Sequence, residues 1–150
     1  GEETQRQKGQ VEKIIRQGNH LVLFPEGTRS RDPHKKIEER KFKTGAAQWA
    51  IATRDLNTVI VPIYMQGTEQ IMPAGSSLPR FRGKQDKQKF SVTIAIGKPL
   101  NIAQQVPANF ENLHHKEQYT IIKQVTAQIK AFMQAQEEFS LRGTTAVEPY

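Results

Sequence analysis

The chain of 150 residues contains no cysteine. That absence excludes disulfides and thiolate chemistry, and it fits a cytosolic location. Long apolar runs are also missing. No stretch approaches the roughly 18 apolar residues that a bilayer-crossing helix needs, and Gly1 to Gln10 is polar, so no secretory leader is expected there. Aromatic residues are scarce, at 7% with a single tryptophan. Only Phe81 and Phe90 flank the most basic loop, which leaves a nucleic-acid binder without its stacking platforms. No Cys/His cluster suggests a metal. Gly83-Lys84-Gln85 and Gly97-Lys98-Pro99 lack the glycine spacing and hydroxyl of a phosphate-binding P-loop. No internal repeat or low-complexity block is present, and hydrophobic content, at 36%, is low for a self-contained domain.

What is abundant is positive charge: Lys and Arg number 22 against 15 Asp and Glu, a net charge of +7. It is clustered. Arg80, Arg82, Lys84, Lys87 and Lys89 crowd one segment, opposed only by Asp86, and Arg29, Arg31, Lys35, Lys36, Arg40, Lys41 and Lys43 form a second group. Such patches attract phosphate, whether in lipid head groups or nucleotides. The Arg80–Lys89 loop reads equally as a solvated face that keeps the chain soluble.

Hydrophobic periodicity gives the elements. Val11, Ile14 and Ile15 lie at helical spacing within Thr4–Gln17, and Gly18 and Asn19 should end that helix. His20–Phe24 is a short apolar run that predicts a strand buried on both faces. Thr44 is placed to cap a helix through about Arg54, with Ala46, Ala47 and Ala50 as its packing face. Thr58–Met65 predicts a second buried strand. Strand, helix, strand in that order implies a parallel crossover. Residues 66–89 read as a long loop. Phe90, Val92, Ile94 and Ile96 alternate with Ser91, Thr93 and Ala95, so one face of that strand should be buried. From about Phe110 to Phe139 the pattern is helical, with Ile122, Val125, Ile129, Phe132 and Met133 on one face. The fold expected is α/β, with a mixed, partly parallel sheet flanked by helices and incomplete at its N-terminal side.

The chemistry concentrates after the first apolar run, in Phe24-Pro25-Glu26-Gly27-Thr28-Arg29-Ser30. Pro25 stops a strand because it donates no ladder hydrogen bond. A turn through Gly27 then presents a carboxylate, a hydroxyl, a guanidinium and a second hydroxyl. Arg29 suits bidentate contact with phosphate, and Thr28 and Ser30 add donors. Glu26 is repelled by phosphate, so it orients Arg29 or accepts from a hydroxyl. Lys43 precedes a helix N-terminus, itself an anion-friendly place, though as a lone residue it reads equally as a surface lysine.

The string resembles the third signature block of the glycerolipid acyltransferases, the family that includes lysophosphatidic acid acyltransferases. Lys41-Phe42-Lys43-Thr44-Gly45-Ala46-Ala47 resembles the family's Phe-Lys-Thr-Gly-Ala segment, and Val59-Ile60-Val61-Pro62-Ile63 its fourth block. The resemblance covers roughly residues 5–100 and implies that 1–100 is the C-terminal part of an acyltransferase domain. Residues 101–140 follow as a connection and amphipathic helix, and 141–150 as a loose tail. It implies transfer of a fatty acyl group from acyl-CoA or acyl carrier protein to a lysophospholipid or glycerol phosphate. These are co-substrates, with no bound cofactor and no metal. It further implies an anionic membrane surface as partner, no nucleic acid, and a membrane-associated site on the cytoplasmic face. Glu26, Gly27, Thr28, Arg29, Ser30 and Lys43 would then hold the acceptor, and Pro62 would interrupt its strand near the acyl chain. The family's general base is a His followed five positions later by an Asp. Five positions after His20, His34, His114 and His115 stand Pro25, Glu39, Tyr119 and Thr120. The pair is absent and no catalytic residue is assigned, so a fragment of an enzyme is expected. The alternative is a non-catalytic lipid- or anion-binding remnant.

Overall fold

A computed structural model describes residues 2–27, 35–73, 75–79 and 91–143. The first helix, α1, runs Glu2–Arg16. It ends as its sequence requires. Gly18 takes φ +81°, and the N–H groups of Gly18 and Asn19 reach back to Ile15 O (2.9 Å) and Ile14 O (3.3 Å). This is the double-bonded glycine cap that satisfies the last carbonyls of a helix.

Residues 20–24 do not form the expected strand. They carry no ladder, and Val22 and Phe24 are 80% and 66% exposed while Leu21 and Leu23 are half-buried. An apolar run becomes a two-face-buried strand only where neighbours supply hydrogen bonds and cover. Among the described residues no strand pairs with this segment.

A 3-10 turn at Ile37–Glu39 leads to α2, Gly45–Ala52. Thr44 occupies the N-cap position but makes no side-chain cap; its hydroxyl accepts instead from Gln48 Nε2 at 3.0 Å. After a 3-10 turn at Arg54–Leu56 come β1 (Val59–Ile60), β2 (Ile63–Gln66), the single-turn α3 (Thr68–Ile71), β3 (Thr93–Ile96) and β4 (Leu100–Asn101). A 3-10 turn at Phe110–Asn112 precedes the long α4, His115–Gly143. Its start is a capping arrangement: His114 N–H donates to Glu117 Oε2 (3.0 Å) and Lys116 N–H to His114 Nδ1 (3.3 Å).

The sheet corrects the parallel expectation. Both strand pairs are antiparallel, β1 with β4 and β2 with β3. They form one interrupted ribbon. Val61 and Pro62 on one side face Gly97, Lys98 and Pro99 on the other, so the register shifts by one residue across the break. Both prolines lack an N–H for the ladder, and a single bond, Gly97 N–H to Pro62 O at 2.8 Å, bridges the gap. The crossover partner for a parallel pair would have been residues 20–24, which make no ladder.

The face that is buried is also the reverse of the expected one. Tyr64 and Ala95 are buried against Ile37, with Met133 of α4 packed on them. Ile94 and Ile96 are 58% and 69% exposed, and their partners Met65 and Ile63 are exposed beside them. The small Ala95 lets a helix approach closely, which four bulky aliphatic side chains do not. The main core lies further along the same stripe of α4, where Val125 and Ile129 cluster with Ala47, Ala50 and Ile51 of α2 and with Leu100, Ile102 and Val106. Ile122 and Phe132 pack against this cluster, so the stripe expected on the last helix is the spine of the molecule. No described helix is long and apolar enough to cross a membrane.

Charge ties α1 to this body. Arg16 donates to both Asp55 oxygens (2.7 and 3.1 Å) and to Glu12 Oε1 (3.0 Å). The Arg16 hydrogen bond holds the Asp55 carboxyl below its ordinary range. A depressed carboxylate stabilises above its unfolded pKa, about 4, and that contribution is lost as pH falls through the lowered value. Amide exchange in α1 is therefore expected to quicken below about pH 4 and with added salt, since the pair is exposed. Asp55→Asn should quicken it at neutral pH and remove both dependences. Persisting acid and salt sensitivity in that variant would show that another group docks α1.

Candidate functional site

The turn Phe24-Pro25-Glu26-Gly27 closes with Gly27 N–H donating to Phe24 O at 2.8 Å. Proline second and glycine fourth are the residues this turn favours. Gly27 has φ +71°, a left-handed conformation costly for other residues. The following segment then returns to the turn. Lys43 N–H donates to Pro25 O at 2.7 Å. The Lys43 side chain crosses Gly27 so closely that a Cβ there would stand 2.7 Å from both Cε and Nζ. The backbone angle favours glycine here, and the flexible end of Lys43 passes over the bare backbone.

The structure thus brings together Glu26, Gly27 and Lys43 from the expected set. Thr28, Arg29 and Ser30 lie outside the described residues, as do His34 and the Arg80–Lys89 loop. Glu26 is engaged by a residue that sequence reasoning had counted only as surface charge. Arg40 Nη1 donates to Glu26 Oε1 at 3.0 Å, with both side chains largely buried. The Arg40 Nε–H donates to Lys35 O at 2.7 Å. No spacing rule links positions 26 and 40. The only signal was that Glu26 lies in one signature segment and Arg40 directly precedes the next. Lys43 is exposed, just before the start of α2. Pro62 is buried in the ribbon break, and its Cγ would touch a Cβ placed on Gly97. The interruption expected of Pro62 is present.

The chemistry available at the turn is anion recognition. An accessible ammonium lies over a side-chain-free backbone at a helix start, and the neighbouring carboxylate is neutralised by its own arginine. A separate open cleft of about 480 Å³ between α1, α2 and the 103–111 segment shares no residue with it. There Arg16 and Arg54 are each already paired, with Asp55 and with Glu111 at 2.6 Å. The Arg54 hydrogen bond lowers the Glu111 carboxyl, and the cleft offers no uncommitted guanidinium.

Residues 2–66 match the family described as Acyltransferase. The matched stretch contains both the turn and Lys43. At 39% identity over 64 residues, the chain is similar to a chloroplastic 1-acyl-sn-glycerol-3-phosphate acyltransferase of Arabidopsis thaliana, covering 43% of this chain and 16% of that protein. A chloroplastic 1-acyl-sn-glycerol-3-phosphate acyltransferase of Brassica napus is equally similar, 39% over 64 residues, with 43% and 17% covered. The chain spans about a sixth of the length of these curated relatives. No solved structure matches it.

Proposed function

We propose that this chain is the acceptor-binding part of a glycerolipid acyltransferase. Glu26, Gly27, Thr28, Arg29, Ser30 and Lys43 would take the phosphate of a 1-acylglycerol 3-phosphate, another lysophospholipid or glycerol phosphate. One observation carries the reading: Gly27 and Lys43, distant in sequence, lie in contact inside the segment that matches the family. Lys43 supplies a point charge, and Gly27 leaves room for a phosphate as it leaves room for the lysine. Arg29, next along the chain, supplies a forked donor, with Thr28 and Ser30 adding hydroxyls. Glu26 serves through its pair with Arg40, which holds the turn and cancels a charge that would repel phosphate.

In the reaction the acceptor hydroxyl attacks the carbonyl of an acyl thioester, on coenzyme A or acyl carrier protein. The C–O bond forms, the C–S bond breaks and the sulfur leaves as a thiolate, which takes up the proton that the base removed. The proton of the hydroxyl goes to a general base, for which this sequence offers no His-Asp pair. The net charge of +7 suits work on an anionic membrane face, on the cytoplasmic side, with Pro62 near the passage of the acyl chain.

The test is a titration of the 150-residue chain with 1-acylglycerol 3-phosphate and, in parallel, with monoacylglycerol, both in neutral micelles. Preference for the phosphorylated ligand is expected. Arg29→Ala should weaken it about tenfold or more, a charge-assisted contact being lost, and Arg29→Lys should restore it only in part. Equal binding of the two ligands, or full rescue by lysine, would overturn the assignment.

A further inference from the structure

The 3-10 turn at Ile37–Glu39 is gripped from far along the chain. Ile37 is buried and opens the 3-10 turn Ile37–Glu39. A backbone N–H at such a start has no partner within the turn itself. Here it donates to the Glu137 carboxylate, at 3.1 Å to Oε2 and 3.3 Å to Oε1. Glu137 lies on α4 and is only 8% exposed. Two helical turns earlier on the same face, Lys130 Nζ donates to Glu38 O at 2.6 Å. One helix face therefore holds both a donor and an acceptor of the same short turn.

That turn delivers Arg40. Its N–H closes on Ile37 O at 3.1 Å, and its Nε–H clasps Lys35 O across the turn. With those bonds made, the guanidinium points Nη1 at Glu26. A buried carboxylate is an expensive way to fill space, because removing it from water costs several kcal/mol unless its bonds are made. It also faces Tyr64, whose phenol is pushed up by burial and then by the Glu137 charge. Packing alone would favour an apolar side chain at position 137. An acceptor for Ile37 N–H requires a polar one.

We propose that Glu137 is a positioning residue for the anion-binding turn, acting through Ile37 N–H and Arg40 on Glu26. The inference rests on the reading of that turn as the acceptor site. It extends the site to a helix that lies beyond the matched residues 2–66.

The experiment is residue-resolved hydrogen–deuterium exchange on the 150-residue chain. It follows the amides of Gly27 and Lys43, which bond to Phe24 O and Pro25 O. Glu137→Ala should quicken exchange at both by about tenfold, the scale of one lost hydrogen bond, while the middle of α2 stays unchanged. Glu137→Gln, which keeps an acceptor, should restore most of the protection. Arg40→Met should quicken the same two amides, and adding Glu137→Ala to it should do nothing more. Uniform quickening across α2 and β3, additivity in the double variant, or a parent in which the two amides already exchange freely would each overturn the proposal. If Glu137→Ala does not fold, Lys130→Met on the surface of α4 replaces it. It should give a smaller effect at the same amides, and no effect there would overturn the proposal. A parallel titration with glycerol 3-phosphate separates the two readings. If the parent does not bind it but the exchange pattern holds, the positioning role stands and the function proposed for the turn falls.

Discussion

Gly67→Ala is expected to destabilise the ribbon half of the molecule more than any other methyl-sized change. Gly67 has φ +89° and opens α3, and an added Cβ would stand 2.0 Å from Ser91 O. The obstacle is backbone, so no rotamer relieves it. The chain must either give up the left-handed angle or push the approach to β3 away from β2. The angle alone costs a non-glycine residue about 1–2 kcal/mol. Forced backbone movement adds roughly 1–3 kcal/mol. Two other glycines separate these costs. Gly75 has φ +86° with nothing within 4 Å of its Cβ position, so Gly75→Ala should show the angular cost alone. Gly9 lies within α1 with open space around it, so Gly9→Ala should stabilise by up to about 1 kcal/mol. Urea denaturation of the three variants checks the order. Equal losses for Gly67→Ala and Gly75→Ala would mean that Ser91 does not press on Gly67.

A second large effect is expected at the uncovered sheet face. Ile63, Met65, Ile94 and Ile96 form two directly opposed pairs, all exposed, on the side of the ribbon away from α4. A contiguous aliphatic patch of this kind binds hydrophobic dyes and promotes association. The parent chain should bind such a dye and precipitate readily. The double variant Ile94→Thr, Ile96→Lys should lose most of that dye signal and become soluble. Its midpoint should change little, because exposed positions contribute little and threonine keeps β-propensity. On the opposite face Ala95→Leu should do the reverse. It would cost about 1–3 kcal/mol by overfilling the space under α4 and leave dye binding as it was. A collapse of the midpoint in the double variant would place Ile94 and Ile96 in the core, and the sheet would then have to be turned over.

Several elements of this molecule were legible from sequence because they are decided within a few residues. The end of α1 at Gly18 needs only a residue that tolerates a left-handed angle and two carbonyls to satisfy. The turn at Pro25–Gly27 is written in its own proline and glycine. The buried stripe of α4 repeats at helical period, and any body packing on that helix selects the same side chains. That Glu26, Gly27 and Lys43 lie in segments resembling signature blocks was likewise readable.

What the sequence left undecided is everything that pairs distant residues. Period two in residues 90–96 announces two faces but does not say which is covered. That depends on α4 choosing small Ala95 and Tyr64 over the isoleucines. Residues 20–24 have the composition of a buried strand, yet a strand exists only where another strand completes its hydrogen bonds, and none does so among the described residues. The antiparallel ribbon accommodates Pro62 and Pro99 in a break where Pro62 lies beside Gly97 and the register shifts by one residue. The Arg40–Glu26 pair and the grip of Glu137 on Ile37 join positions 14 and 100 residues apart. No local periodicity encodes such separations, so only the folded chain could place a carboxylate of α4 behind the turn.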